Sequence, residues 1–430
     1  MYPLDTHRNE AGHLVIGGCD VVDLVQEFGS PLYVYDEATI RAMCRSYVDV
    51  LAENYPNFSV TYAGKAYIDL AVLRIVADEG FGLDAVSGGE IQCAVAAEFP
   101  MERVIFHGNN KLPDEIELGL SAGIGRFMVD GLDDLRLISQ VASDRQTTAN
   151  VMLRLTPGIS AHTHDYIRTG ALDSKFGLPI STGQAEEAVR LALESSGVSL
   201  IGYHAHIGSQ IFDTEPYAQT VEVLLGFAEQ MHDKYGVCPE VLSPGGGCGV
   251  QYVEEDDGLE IERLVKVICR TFKDGLPAGV EPELALEPGR SIVANAGVAL
   301  YSVGTLKEIP GIRKYVAVDG GMADNIRPAL YGSEYKVDIA SREADGECST
   351  VTIAGRYCES GDILFKDVSL PELRNGDIVA AATSGAYNLA MSSNYNMALR
   401  PAVVFVKDGQ ATLSRRRETY DDLLAVFPGA

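Results

Sequence analysis

The stretch Phe58-Ser-Val-Thr-Tyr-Ala-Gly-Lys-Ala-Tyr67 decides how this chain is read. Phe58 to Tyr62 is rich in β-branched and aromatic residues and predicts a short buried strand. Gly64 lets the backbone turn, and Lys65 stands directly after it. A helical pattern then begins at Asp69-Leu-Ala-Val-Leu-Arg-Ile-Val-Ala77. A lysine at the exit of a buried strand is expected to be poorly solvated, which lowers the pKa of its amine. Such an amine forms imines with aldehydes. Taken alone, Lys65 is better read as a strand-end side chain that reaches out to water. Its context decides between the two.

Working outward, the strand-then-helix unit recurs. Buried strands are expected at Phe58–Tyr62, Gly82–Val86, Arg103–His107, Arg126–Asp130, Asn150–Leu155, Ser199–His206, Glu240–Ser243 and Glu283–Glu287. Amphipathic patterns separate them, among them Asp114–Ala122, Leu132–Ala142, Gln184–Glu194 and Glu215–Tyr235. This α/β alternation predicts a TIM-like (β/α)8 barrel, because a set of eight favours closure over an open doubly wound sheet. After Ala294 the rhythm changes to β-rich segments with little helix: Val298–Leu306, Lys314–Val318, Ser349–Ala354, Asp377–Ala382, Ala402–Val406 and Ala411–Ser414. They predict a second, all-β domain, sandwich-like or barrel-like, joined by the strands of the first 35 residues. The expected division is residues 36–294 for the barrel, and 1–35 with 295–430 for the β-domain.

Composition narrows the function. The chain has 430 residues, 46% of them hydrophobic, and lacks the long apolar run of a membrane span. Met1-Tyr-Pro-Leu-Asp-Thr-His-Arg8 does not read as a signal peptide. Eight scattered cysteines without zinc or redox spacing suggest reduced thiols in a cytoplasmic protein, and no metal is expected. With 34 basic against 61 acidic side chains the net charge is −27, which disfavours nucleic acid and anionic membranes as partners.

Active sites of such barrels lie where the strands end. The predicted ends carry Lys65, Asp84-Ala-Val-Ser87, Arg154, His204-Ala-His206-Ile-Gly-Ser209-Gln210, Pro244-Gly-Gly-Gly247 and Glu287-Pro288-Gly289-Arg290. Each has a chemical use and a bland one. The glycines let backbone N–H groups close on a phosphate, or simply make a tight turn. Arg290 offers a bidentate contact to phosphate or carboxylate, or a structural ion pair. Glu287 could keep a pyridine nitrogen protonated, and His206 could lie flat on a ring; a salt bridge and a core histidine are the alternatives. Gathered on one face, with Lys65 as the imine-forming amine, they fit pyridoxal 5'-phosphate.

Tyr62-Ala-Gly-Lys65, His206-Ile-Gly-Ser-Gln210, Gly245-Gly-Gly247 and Glu287-Pro-Gly-Arg290 resemble motifs of the pyridoxal-phosphate decarboxylases of the alanine-racemase-like fold type. Arg327-Pro-Ala-Leu-Tyr331, Cys358-Glu-Ser-Gly-Asp362 and Gly385-Ala-Tyr-Asn388 extend the likeness into the second domain. The full set looks like the branch that decarboxylates meso-2,6-diaminopimelate to L-lysine. The resemblance implies that Lys65 holds the cofactor covalently, that His206 stacks on its ring and that Glu287 pairs with the ring nitrogen. It places Ser209, Gly245, Gly246, Gly247, Pro288, Gly289, Arg290 and Tyr387 around the cofactor and its phosphate, with Asp84 in support. Arg290, Arg327, Tyr331, Glu359 and Tyr387 would take the substrate, and Cys358 would give a proton to the carbon that loses carbon dioxide. It also implies a homodimer whose active sites borrow Cys358 and Glu359 from the partner subunit. One run departs from the pattern: Gly332-Ser-Glu-Tyr335, where many relatives have an aromatic, His-containing sequence.

A substrate end bearing both carboxylate and ammonium needs a guanidinium and an acid together, as Arg327 and Glu359 supply. The nearest alternative is a decarboxylase of ornithine, arginine or a D-amino acid such as D-lysine on the same fold. A racemase fits less well, because it needs a second base on the opposite ring face and usually an arginine at the ring nitrogen. A catalytically silent homologue is at odds with intact Lys65 and Cys358.

Overall fold

The strand β1, Phe58–Ala63, begins a parallel series with β2 (Gly82–Ala85), β3 (Val104–Phe106), β4 (Arg126–Val129) and β5 (Ala149–Thr156). It continues through β6 (Val198–Ala205), β7 (Val241–Gly245) and β8 (Glu283–Leu286). Each strand pairs with the next, and β8 returns to β1 through Leu284 opposite Phe58 and Leu286 opposite Val60. The expected barrel is therefore closed. The computed structural model that shows this describes residues 1–159, 173–343 and 346–429.

Strands buried on both sides read as nearly continuous apolar runs, which is why all eight were visible in sequence. Ile105, Met128, Met152, Ile201, Val241 and Ala285, from six different strands, form one apolar cluster of the core. Two of the helices start on polar caps: Asp69 accepts from the Val72 N–H ahead of Leu70–Asp78, and Ser87 from the Glu90 N–H ahead of Gly88–Ala96. The long helix Glu215–Tyr235 runs as expected and stops at Gly236, whose φ of 70° closes it in the left-handed conformation.

The chain forms two compact units, one of residues 43–250 and 257–291, the other of residues 1–42, 251–256 and 292 onward. In the second unit the central strand β9 (Gly297–Ile309) pairs antiparallel with Leu32–Asp36 and with β10 (Arg313–Val318). Later in the chain come β11 (Val337–Ile339), β12 (Ser349–Ala354), β13 (Ile363–Leu370), β14 (Ile378–Ala381), β15 (Ala402–Lys407) and β16 (Gln410–Arg415), while His7–Arg8, Leu14–Ile16 and Cys19–Asp20 form a small sheet of their own. The sheet order is β13-β12-β10-β9-(Leu32–Asp36)-β15-β16, with β14 on β9 and β11 on β14. Leu32, Val34, Val298, Leu300, Ala380 and Val404 lie in its apolar core.

The sequence reading missed β11 and β13. In β13 the alternation is broken at Lys366-Asp367, where Asp367 has φ +55° and the pairing with β12 shifts register, as a bulge does. Among the described residues no helix is long and apolar enough to cross a membrane. All eight cysteines are free thiols.

Candidate active site

Lys65 sits on a single 3-10 turn, Gly64–Ala66, directly after β1. The turn is pinned on both sides. The Ala63 N–H donates to the Pro288 carbonyl at 3.0 Å, and the Tyr62 hydroxyl donates to the Tyr67 carbonyl at 2.6 Å. Gly64 and Ala66 are buried, but Lys65 between them is exposed. The expected poor solvation of this amine is thus corrected: the turn lifts the side chain clear of the strand end it follows.

Deeper in the barrel lies a buried polar cluster. Glu287, just beyond β8, accepts a hydrogen bond from His204 Nε2 at 2.8 Å and another from the Ser243 hydroxyl at 3.1 Å. His204 Nδ1 has no hydrogen-bond partner among the described residues, so Nε2 carries the ring proton. The His107 Nε2 lies 3.7 Å from Asp84 Oδ1 and 4.0 Å from Glu287 Oε1. Arg154 on β5 is 3.6 Å from Asp130 and stacks over Phe176 at 4.4 Å.

Burial and neighbours drive the two acids apart. Burial pushes Asp84 up to about 8; Lys65 pulls against that shift and the charge of Glu287 adds to it. Burial, the largest influence, opposes ionisation of Glu287, but His204, with His107 and His206 adding to it, holds this carboxyl well below the usual range. The surroundings thus favour the anion at Glu287 and the protonated form at Asp84. Burial pushes the His107 and His206 imidazoles well below their ordinary value, so both are neutral.

The glycine run works differently from the simple expectation. The Gly245 N–H donates to Ser243 Oγ at 3.1 Å and the Gly246 N–H to His206 Nδ1 at 3.3 Å, so two of these donors are already engaged with side chains. What the glycines permit is close approach. A Cβ on Gly246 would lie 2.0 Å from the Glu287 carbonyl oxygen, and one on Gly247 2.1 Å from the Gly208 carbonyl oxygen. The bond from Gly246 also fixes the His206 ring and leaves its proton on Nε2. Ser209 Oγ accepts from Arg290 Nε at 3.3 Å and Nη2 at 3.1 Å.

The other candidate residues belong to the second unit. Arg327 opens the short helix Arg327–Tyr331 and is only 7% exposed. Its Nε donates to the Tyr335 hydroxyl at 2.9 Å and its Nη2 to Ser333 Oγ at 3.2 Å. Its guanidinium carbon lies 5.4, 5.7 and 6.0 Å from the rings of Tyr252, Tyr331 and Tyr387. Among the described residues no carboxylate is within ion-pair range of Arg327. Tyr387 has φ +62°.

Cys358 and Glu359 are both exposed, on the turn between β12 and β13. Asp362 holds that turn: one carboxylate oxygen accepts from the Met322 N–H at 2.7 Å, the other from the Tyr357 N–H at 2.8 Å. At Gly355 a Cβ would come within 2.3 Å of the same carboxylate.

Sequence reasoning gave no role to His107, His204, Ser243, Tyr335 or Asp362. One signal was available for His204: it stands two residues before His206, and a strand's period of two puts both on one face. The others are joined only by tertiary contacts.

Residues 37–294 match the family model for the pyridoxal-dependent decarboxylases, pyridoxal binding domain. Over 421 residues the chain is 45% identical to the diaminopimelate decarboxylase of Bacillus subtilis, covering 97% of this chain and 96% of that one. The chain belongs to the diaminopimelate decarboxylases. Its cofactor is pyridoxal phosphate. Among solved structures it resembles the family's enzyme from M. jannaschii in complex with L-lysine, with TM-score 0.92 and 36% identity over 100% of this chain and 99% of that one. The lysine/ornithine decarboxylase of Vibrio vulnificus, complexed with cadaverine, is more distant: TM-score 0.78 and 25% identity over 90% and 97% of the two chains.

The barrel end fits the cofactor. It offers an exposed lysine amine, a buried carboxylate held towards its anion, two buried polar atoms without hydrogen-bond partners among the described residues (Asp84 Oδ1 and His107 Nε2) and a backbone run with no room for side chains.

Proposed function

We infer that the protein decarboxylates meso-2,6-diaminopimelate to L-lysine and carbon dioxide with pyridoxal phosphate. We further propose that it acts in the cytoplasm as a homodimer, with Cys358 and Glu359 of the partner subunit completing each active site. The observation that carries the choice of substrate is Arg327. A buried guanidinium without a carboxylate partner calls for an anion, because an uncompensated buried charge costs several kcal/mol. A substrate that keeps a carboxylate at its far end supplies one; ornithine, which would give a simple diamine, does not.

When bound, pyridoxal phosphate accepts the electron pair left on the α-carbon as carbon dioxide departs. The chain's own groups are assigned around that chemistry. The Lys65 amine is the nucleophile that holds the cofactor. Glu287 stays anionic through His204 and Ser243, and so can keep a proton on a facing ring nitrogen. The neutral His206 ring, fixed through Nδ1, presents a flat face for stacking. Ser209, Gly245, Gly246, Gly247, Pro288, Gly289, Arg290 and Tyr387 surround the phosphate end, and Asp84 supports the ring. Arg290, Arg327, Tyr331, Tyr387 and Glu359 hold the substrate. The Cys358 thiol delivers the proton that replaces carbon dioxide.

Incubation with meso-diaminopimelate, ornithine, arginine and D-lysine in turn, reading carbon dioxide and the amine formed, tests the assignment. Lysine from diaminopimelate should form with the largest kcat/KM. Faster turnover of ornithine, arginine or D-lysine would replace this reading with the alternative.

A further inference from the structure

The run Gly332-Ser-Glu-Tyr335 supplies both hydrogen bonds that hold the Arg327 side chain. We propose that Tyr335 and Ser333 are positioning residues that set the preference for a carboxylate-bearing substrate end by locking the Arg327 guanidinium in one orientation. The inference rests on the reading of Arg327 as the group that binds that carboxylate.

A guanidinium has five N–H donors in a rigid planar fork, and it selects carboxylates only when the fork is aimed. Tyr335 takes the Nε donor and Ser333 takes one on Nη2. Among the described residues the Nη1 donors make neither contact, which leaves them to a ligand.

Tyr335 is itself held. It is 3% exposed, and its hydroxyl donates to Asn388 Oδ1 at 2.9 Å. The hydroxyl proton is thus committed, which leaves the oxygen to accept from Arg327. Its ring meets Tyr252 edge-on at 5.4 Å and 88°, and Phe365 at 5.9 Å and 71°. An aromatic wall so packed leaves the hydroxyl little freedom to turn away. Tyr252, Tyr331 and Tyr387 close around the guanidinium carbon and limit its sideways movement. The charge is presented in a fixed direction before any ligand arrives, which lowers the ordering cost of binding.

L-Lysine and cadaverine differ by one carboxylate, so their inhibition constants isolate the contact. In Tyr335→Phe, which keeps the ring, the constant for L-lysine and the KM for diaminopimelate should each rise about tenfold, the size expected for one hydrogen bond to a charged group. The constant for cadaverine and kcat should hold. Equal weakening of both inhibitors, or a fall in kcat with lysine binding intact, overturns the proposal.

If Tyr335→Phe fails to fold, Ser333→Ala carries the test at a half-exposed position. It should weaken lysine but not cadaverine, and unchanged lysine inhibition there overturns the proposal. Arg327→Ala separates this inference from the reading beneath it. Should Arg327→Ala weaken lysine while neither positioning variant does, the inference alone fails. Should Arg327→Ala leave lysine inhibition unchanged, the assignment of Arg327 fails and takes the inference with it.

Discussion

At the C-terminal end of the barrel Glu287 lies against His204 and Ser243, and Arg154 against Asp130. In the second unit Arg327 is as deeply buried, among three tyrosines, with no carboxylate in ion-pair range among the described residues. The first cluster is already a polar network, with its acids and imidazoles sorted into charged and neutral forms. The second is one-sided. Buried charges are normally paired, because desolvation costs several kcal/mol per ion. A balanced cluster suits a resident group whose charges are met one by one. An unbalanced cation suits a group that arrives with its own negative charge and leaves again.

Four variants can break or sharpen that contrast. The largest effect is expected from Lys65→Ala in the barrel. Turnover should be abolished, and no cofactor should remain covalently attached after borohydride reduction. Attachment at another lysine would move the reaction away from β1.

Glu287→Gln comes next. It keeps the shape but removes the buried anion that His204 and Ser243 address. A loss of about 10²–10⁴ in kcat is expected, on the scale of a positioned proton-holding group. Unchanged kcat would mean that the ionised state of Glu287 is structural only.

Mixing the two inactive proteins Lys65→Ala and Cys358→Ala probes the two units together. With random reassortment into two-fold dimers, roughly a quarter of sites should regain activity, because about half of the dimers are mixed and each mixed dimer has one intact site. Subunit exchange is verified in parallel with tagged and untagged protein. Exchange without recovery would rule out sites that borrow Cys358 from the partner subunit.

The smallest effect is expected for Asp84→Asn, and it is one of pH. Asp84 is raised in the fold from 3.8 to about 8. A carboxyl raised on folding keeps its proton in the native state while the unfolded chain loses it. Native stability therefore falls as pH climbs from about 4 to about 8. Asparagine does not titrate, so the variant's stability relative to wild type should grow across that window and level off above it. Thermal unfolding of the cofactor-free proteins at a series of pH values measures this. A constant difference from pH 5 to 9 would place Asp84 in its ionised form throughout.

The barrel was legible because its strands are buried on both faces and amphipathic helices alternate with them. Much of β13 was not, because the left-handed Asp367 breaks the two-residue period that marks a strand. Lys65, His206, Glu287 and Arg290 could be singled out in sequence because they follow the strands β1, β6 and β8 closely. The partners of those groups were hidden. His107 and Ser243 meet Glu287 from strands well apart in sequence, and Tyr335 meets Arg327 only after the chain turns at Gly332. Exposure was the clearest error. The pattern around Lys65 said buried strand, but one short turn was enough to carry the amine into the open.

Arg327→Ala tests the division of labour most directly, with cofactor absorbance and diaminopimelate turnover read on the same sample. The absorbance should match wild type while kcat/KM falls by about 30-fold to several thousand-fold, the equivalent of about 2–5 kcal/mol for a lost buried charge partner. Loss of the cofactor together with turnover would contradict the account, because Arg327 would then serve the resident group and not the substrate.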